Sequence, residues 1–267
     1  MGLTAQSTGI NAFLEELKQS SVKADAVIAL AGNPNTGKST VFNGLTGLNQ
    51  HTGNWPGKTV ILAKGNYQHQ RKNITLVDLP GTYSLLANSA DEQVARDFIC
   101  FGNPDAVVVV ADATCLERNL NLSLQVMEIT PRTILCVNLI DEARRKKMEI
   151  DLAKLEAILG IPVVPAVARE KVGLKQLKDV IDKVAFGKKW PQPKSMEYSE
   201  TIEAALAEIQ REVDHLLQGK FNSRWVALRL LDGDNSIITE IFHYLQRLEI
   251  KKQEYYQEKV KVVECCE

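Results

Sequence analysis

The sequence feature that most constrains the fold of this chain is a glycine-rich loop at residues 32–39, which has the spacing G-x-x-x-x-G-K-S/T. An apolar, β-branched run at residues 26–31 precedes the loop and predicts a buried strand, and residues 38–48 have the pattern of a helix. Gly32 and Gly37 allow the backbone to curl so that its N–H groups point inward, and the helix adds its positive N-terminal end. A loop of this kind is expected to bind phosphate groups.

Side chains of the same loop suit a nucleoside triphosphate with its metal ion. Lys38 supplies a positive charge for the β- and γ-phosphates, and the Ser39 hydroxyl is a hard oxygen ligand for Mg²⁺. The residues of this segment that we expect to contact the nucleotide are Gly32, Asn33, Pro34, Asn35, Thr36, Gly37, Lys38, Ser39 and Thr40.

Strand patterns alternate with helical patterns along most of the chain. The six predicted strands are residues 26–31, 59–67, 74–77, 106–111, 133–137 and 163–168. This order predicts an α/β fold with a mixed, mostly parallel six-stranded sheet flanked by helices. Ligands on such a sheet bind beyond the carboxyl ends of the strands.

The chain is expected to have two folded parts joined by a linker. Residues 24–187 form the α/β domain, and residues 188–199 are polar, contain two prolines and show no period. Beyond them apolar residues recur every three or four positions, so residues 200–267 are predicted to be an all-helical domain. Residues 1–23 form a short amphipathic segment that we expect to pack on the main domain.

Composition narrows the range of functions. The net charge of −1 argues against a broad electrostatic grip on nucleic acid. The sequence shows no signal peptide and no run of about 18 apolar residues, so by itself it is not expected to span a membrane. An odd number of cysteines without framework spacing indicates a reducing compartment. Cys265 and Cys266 have the chemistry to bind a soft metal, although a frayed terminus is the simpler interpretation.

The choice of base is predicted from an N-x-x-D motif, Asn138-Leu139-Ile140-Asp141, which follows the strand at residues 133–137. Guanine presents N1–H and N2–H₂ on one edge, and an ionised Asp141 accepts both. Adenine has no donor at N1 and would leave the carboxylate unpaired, at a cost of roughly 1–3 kcal/mol. Asn138 is expected to tie this loop to the phosphate loop. The motif therefore predicts a guanine nucleotide, GTP or GDP, as the ligand.

Two further loops are predicted to meet the phosphates. Asp78-Leu79-Pro80-Gly81 follows a predicted strand, and we expect Asp78 to hold a Mg²⁺-bound water and the Gly81 N–H to meet the γ-phosphate. The polar loop at residues 51–59 is of a kind that Mg²⁺ and the γ-phosphate order. In this loop Thr59 is the candidate for the second hydroxyl ligand of Mg²⁺, and Thr52 is the alternative. Gly57 and Lys58 are expected to lie at the nucleotide, although the sequence assigns no specific role to Lys58.

One position departs from small signalling GTPases, in which a glutamine after the glycine orients the attacking water. Here that residue is Thr82, so hydrolysis is expected to be slow or to draw on another charge. Arg96 and Arg118 are candidates for that charge only by proximity in sequence, and we expect both to be solvated at the surface. The residues that these motifs predict to take part in the reaction are Lys38, Thr59 and Gly81.

The motifs together resemble one family. GNPNTGKSTVFNGLTG, HTGNWPGKTV, LVDLPGTYSL and NLIDEAR are similar to the cytosolic GTPase domain of the bacterial ferrous iron transport protein B (FeoB) family. The resemblance covers residues 27–186, and residues 200–260 resemble the family's helical domain in position and length only. It implies a P-loop GTPase fold followed by a helical domain that acts as a guanine-nucleotide dissociation inhibitor. The family's membrane part, which carries iron, has no counterpart in these residues.

The resemblance also implies a potassium site, because the family belongs to potassium-stimulated GTPases. Asn35 matches the phosphate-loop asparagine that holds K⁺, and Gly53 and Trp55 match the residues whose carbonyl groups do so. K⁺ would neutralise charge on the phosphates, as an arginine finger does. A loop-stabilising amide is the alternative role of Asn35.

The last nucleotide motif departs from the family. Relatives usually have Ser-Ala or Thr-Ala, whose alanine N–H meets guanine O6, and this chain has Val167-Ala168-Arg169. Ala168 keeps its N–H, but the loss of a hydroxyl at Val167 predicts weaker base affinity and faster release.

Three functions follow from these patterns. The first is the GTPase module of a ferrous iron transporter, at the cytoplasmic face of the bacterial membrane, with the transport domain on the same polypeptide beyond Glu267. The second is a free-standing GTPase switch in ribosome or RNA maturation. Such a protein would need a basic RNA-binding segment, and the near-neutral net charge gives no indication of one. The third is a nucleotide-binding scaffold without turnover, which rests on the absent glutamine. The sequence leaves open whether the chain forms a homo-oligomer.

Overall fold

The computed structural model describes residues 24–47, 50–54, 60–86, 89–187, 191–217, 219–234 and 237–246. These residues divide into two compact units, one up to Met196 and one from Glu197 onward. The predicted amphipathic segment at residues 1–23 and the pair Cys265 and Cys266 lie outside the described residues.

The first unit is built on one sheet with the strand order β2-β3-β4-β1-β5-β6-β7. The strands β4, β1, β5, β6 and β7 are parallel to one another, whereas β3 is antiparallel to β4 and the edge strand β2 is antiparallel to β3. The strands are β1 (Ala26–Gly32), β2 (Gln50–Asn54), β3 (Ile61–His69), β4 (Lys72–Asp78), β5 (Ala106–Asp112), β6 (Thr133–Asn138) and β7 (Val163–Pro165). The predicted α/β fold with a mostly parallel sheet is confirmed.

The sheet has seven strands where the sequence predicts six, because part of the predicted polar loop at residues 51–59 forms a strand. The strand is β2, in which Thr52 pairs with Ala63 and Gly53 with Leu62 of β3. An edge strand has only one hydrogen-bonded neighbour and need not be buried, so it needs no apolar pattern. For this reason the hydrophobic pattern did not reveal it.

Helices cover both faces of the sheet, so the central strands are apolar throughout. In β6, Ile134 and Cys136 lie in the core cluster that contains residues of α1 and α6, whereas Leu135 and Val137 lie in the opposite one. The helices of this unit are α1 (Lys38–Thr46), α2 (Ala90–Phe101), α3 (Leu116–Ile129), α4 (Ile140–Arg145), α5 (Leu152–Leu159) and α6 (Leu174–Phe186). The loops of the candidate site follow the carboxyl ends of β1, β4, β5 and β6.

Every secondary-structure element described in the second unit is a helix, as predicted. It contains α7 (Glu200–Leu217), α8 (Ser223–Leu231) and α9 (237–246). The Arg224 guanidinium donates to both carboxylate oxygens of Glu203 at 2.8 and 2.7 Å and lowers the pKa of Glu203 to about 2. Within the described parts of both units, no helix combines the length and apolar character needed to cross a membrane.

Candidate nucleotide-binding site

The glycine-rich loop forms a tight turn between β1 and α1. Gly37 has a φ of 79° and caps α1, and Asn35 has a φ of 67°. The Thr36 hydroxyl donates to the Asn33 carbonyl at 2.9 Å and closes the turn internally. Pro34 and Asn35 are exposed at the tip of the turn. The loop therefore has the form that the motif predicts, a curled backbone ahead of a helix N-terminus.

Lys38 links this loop to the end of β4. Its ammonium group donates to the Asp78 carboxylate and, at 2.6 Å, to the Leu79 carbonyl. Burial raises the pKa of Asp78, and the nearby Lys38 charge partly offsets that rise. Ser39 and Thr40 are exposed in the first turn of α1. The Lys38 ammonium, the Asp78 carboxylate and the Ser39 hydroxyl thus lie at the same end of the sheet. These are the kinds of group that bind a phosphate together with its Mg²⁺ ion.

The segment that follows β4 lies against the phosphate loop. The Thr82 N–H donates to the Gly32 carbonyl at 3.2 Å. A Cβ atom placed on Gly81 would lie 3.5 Å from Pro34, so the backbone of Gly81 is held close to the loop. Before these two residues, Leu79 is buried and Pro80 is half-buried. The structure therefore brings together the two loops that the sequence predicted to share the phosphates.

Asn138 joins three loops at the end of β6. Its Nδ2 donates to the Thr36 carbonyl at 3.0 Å, and its Oδ1 accepts from the Ala168 N–H at 3.0 Å. The side chain is buried, so both bonds are shielded from water. A Cβ atom on Gly37 would collide with this same Nδ2, which explains the glycine at that position. The predicted link to the phosphate loop is present.

The bond from Ala168 differs from the expected arrangement. We expected the Ala168 N–H to be directed at guanine O6, and in this structure it is donated to Asn138. The reason is that the buried Oδ1 of Asn138 needs a donor, because the other end of the amide is engaged by the phosphate loop. Val167 also has a support that the sequence did not reveal, since its N–H and carbonyl bond to Val172 at 3.1 and 3.2 Å.

Asp141 lies in the first turn of α4. Leu139, the residue before this helix, has a φ of 62°. The Oδ2 atom of Asp141 lies 3.4 Å from an Arg169 guanidinium nitrogen. Its Oδ1 atom is buried and accepts no hydrogen bond within the described structure. A buried carboxylate oxygen without a donor is costly, so this atom is suited to accept a donor from a ligand.

Part of the predicted site falls in residues that the structure does not describe. Trp55, Gly57, Lys58 and Thr59 lie outside the described residues. The alternative magnesium ligand Thr52 is exposed on β2 beside Gly53.

One of the two arginines departs from its expected surface position. Arg96 is buried in α2, where its guanidinium group donates to Asp97 at 3.0 and 3.1 Å, so the expectation of surface solvation was wrong for it. A helical pattern does not show that a long side chain can fold back onto its neighbour. Arg118 is exposed, but its guanidinium carbon lies 4.4 Å from the centre of the Tyr83 ring.

A strand–loop–helix phosphate site, a carboxylate at the end of the adjacent strand and an N-x-x-D motif at the end of β6 define a domain of the P-loop GTPase class. Two family models match the chain, "Ferrous iron transport protein B" over residues 26–181 and "FeoB cytosolic helical domain" over residues 198–263. The chain belongs to the ferrous iron transport protein B family.

Relatives and solved structures agree with this assignment. The chain is 45% identical over 210 residues to the Fe(2+) transporter FeoB of Methanocaldococcus jannaschii, covering 79% of this chain and 31% of that protein. It is 40% identical over 214 residues to the Fe(2+) transporter FeoB of Escherichia coli K12, covering 78% and 27%. The cytosolic domain of the T. maritima FeoB iron transporter in a GDP form is 35% identical with a TM-score of 0.74, covering 88% and 97%. The chain thus spans less than a third of the curated relatives' length.

Proposed function

We propose that this chain binds GTP and hydrolyses it to GDP and phosphate, as the GTPase part of a ferrous iron transporter. The observation that carries the proposal is the Asn138 side chain, which bonds the phosphate loop and the residue 168 loop at once. This amide places the Asp141 carboxylate at a set position relative to the phosphate loop. A ligand that reaches both must have phosphates at one end and paired donors at the other.

Asp141 selects guanine in this proposal. Guanine N1–H and N2–H₂ supply the donors that the unpartnered Oδ1 and the weakly paired Oδ2 of Asp141 accept. The side chain of Arg169 is 72% exposed. It can therefore move away from Asp141 when the base binds without becoming a buried unpaired charge. Asn138, Leu139, Val167 and Ala168 shape the loops around the base.

The phosphates are bound by the backbone of residues 32–40 and by Lys38. Ser39 and Asp78 would hold Mg²⁺ together with Thr59, and the ion would supply positive charge for the β- and γ-phosphates. These residues fit a magnesium ion. The Ser39 hydroxyl is exposed at the start of α1, and the Asp78 carboxylate already lies beside the positive charge of Lys38. In hydrolysis a water oxygen forms the new bond to the γ-phosphorus as the bond to the β-phosphate oxygen breaks. The Gly81 N–H stabilises the charge that develops on the γ-phosphate.

Turnover is proposed to be slow and stimulated by K⁺. Thr82 is buried and has a hydroxyl in place of the glutamine carboxamide that orients water in small signalling GTPases. Asn35, exposed at the tip of the phosphate loop, would hold K⁺ with the carbonyl groups of Gly53 and Trp55. This ion would take the place of an arginine finger.

The whole polypeptide is proposed to place this module at the cytoplasmic face of the membrane, joined to a transport domain for Fe²⁺. The support is that similar proteins are named Fe(2+) transporters and are more than three times as long as the matched part. We also propose the boundaries 24–187 for the GTPase domain, 188–199 for the linker and 200–267 for the helical domain. They agree with the break between the two compact units and with the limits of the two family matches.

The test is phosphate release from GTP and from ATP, each in KCl and in NaCl. We expect release from GTP alone, faster in KCl, with the potassium effect lost in Asn35→Ala. Equal release from ATP would refute the base assignment. An equal rate in the two salts would refute the potassium site and leave GTP hydrolysis standing.

A further inference from the structure

We propose that Arg118 and Gln125 of α3 are positioning residues for GTP hydrolysis. They hold residues 82–85, the segment that follows Gly81, and so keep the Gly81 N–H beside the phosphate loop. The inference rests on the proposed function, because it assigns these residues a role in the same reaction.

Each residue of the 82–85 segment has its own contact. The Thr82 N–H donates to Gly32, and the Tyr83 ring lies under the Arg118 guanidinium at 4.4 Å. The Ser84 hydroxyl donates to Glu92 at 2.9 Å. The Leu85 N–H donates to the Gln125 side-chain oxygen at 2.7 Å, and the Leu85 side chain is buried. Two of the four contacts come from one helix, α3.

The helix that supplies these contacts is itself anchored to the sheet. Asn119 accepts from the Asp112 N–H at 3.2 Å and donates to the Cys115 carbonyl at 2.9 Å, so the turn from β5 into α3 is closed by one buried amide. Leu122 and Val126 are fully buried beneath the helix. Arg118 and Gln125 are two turns apart and therefore lie on the same side of α3. The segment is thus attached to a fixed support.

This attachment matters only for a triphosphate. The Gly81 N–H is proposed to meet the γ-phosphate, which GDP lacks. Without the contacts from α3, residues 82–85 gain conformational freedom, and this freedom is lost again each time the γ-phosphate is bound. Binding of GTP and its hydrolysis should therefore weaken, whereas binding of GDP should not change.

The experiment compares Arg118→Ala, Gln125→Ala and the double variant with the unaltered chain at one KCl concentration. Gln125→Glu keeps an oxygen that accepts from the Leu85 N–H, and Asn121→Ala removes an exposed side chain from the same helix. Affinities for GDP and for the imido analogue of GTP are measured by titration, and the hydrolysis rate by single turnover. Thermal unfolding shows that each variant is folded.

We expect each alanine variant to lower analogue affinity and single-turnover rate by about fivefold, the size of one lost hydrogen bond or cation–π contact. The double variant should lose more, GDP affinity should stay within about twofold, and Gln125→Glu should restore most of the loss. Equal weakening of GDP and the analogue would overturn the proposal, because the contacts would then be merely structural. Unchanged or faster turnover would overturn it as well. A wild-type chain that binds neither nucleotide would instead refute the proposed function.

Discussion

The two sides of the proposed nucleotide site are held together in different ways. On the base side, one buried amide, Asn138, bonds to the backbone of two other loops. On the γ-phosphate side, the Tyr83 ring and the Leu85 N–H are held by the side chains of Arg118 and Gln125, of which Arg118 is exposed. The comparison indicates that the packed core fixes the proposed base-binding loops, whereas the proposed γ-phosphate side depends in part on the contact of an exposed side chain.

The largest effect is expected on the phosphate side, from Lys38→Ala. Loss of charge-assisted bonds worth up to about 3 kcal/mol should weaken GTP and GDP by roughly 100-fold. Lys154 is exposed on α5, so Lys154→Ala is the control. Titration with both nucleotides measures the change. Affinities within about twofold of the unaltered chain would show that Lys38 serves Asp78 and not the phosphates.

The base side is tested by Asp141→Asn. We expect GTP affinity to fall by roughly 30-fold, because the amide cannot accept two donors, at a cost near 2 kcal/mol. Xanthosine triphosphate should bind better to this variant than to the unaltered chain, since its C2 carbonyl accepts from the new amide. Competition between the two nucleotides measures the exchange. Unchanged preference for GTP would place the base elsewhere.

The link between the sides is tested by Asn138→Ala. This change leaves the Thr36 carbonyl and the Ala168 N–H without their buried partner, so the free energy of unfolding should fall by about 2 kcal/mol. Asn138→Asp keeps an acceptor for the Ala168 N–H but turns a buried carboxylate oxygen toward the Thr36 carbonyl, so in a denaturant titration it should destabilise the domain at least as much as the alanine variant. If the alanine variant is as stable as the unaltered chain, the base loops are held by other contacts.

The smallest effect is expected from Val167→Ser, which supplies a hydroxyl at the position where the sequence analysis expected one. The Val167–Val172 bridge already supports this loop, so we expect dissociation of GDP to slow by only about twofold. Val172→Ser, at the exposed partner of the bridge, is the control. A tenfold change in the rate, measured by stopped flow, would mean that the backbone bridge does little to hold the loop.

Much of this arrangement was predictable because it depends on local spacing. The phosphate loop and the order of strands and helices follow from short-range patterns of glycine and apolar residues. The predicted strands at residues 106–111 and 133–137 coincide with β5 and β6 to within one residue. The helix predicted at residues 38–48 is two residues too long, because α1 ends at Thr46, before Gly47.

Other features could not be predicted because they depend on which distant segments meet. The strand β2 has no apolar pattern, and the burial of Arg96 depends on the packing of α2. The bond from the Ala168 N–H to Asn138 joins residues 30 positions apart. No short-range pattern contains that information.

The sequence by itself determined the class of fold, the phosphate loop and the candidate for the base-selecting carboxylate, because each depends on residues that are neighbours in the chain. The tertiary structure decided how these parts face one another: which amide joins the loops, which oxygen of Asp141 is left without a donor, and which helix holds residues 82–85. The physical reason is that hydrogen bonds and ring contacts act over a few ångströms. Only the packing of helices on the sheet brings such distant residues within that range.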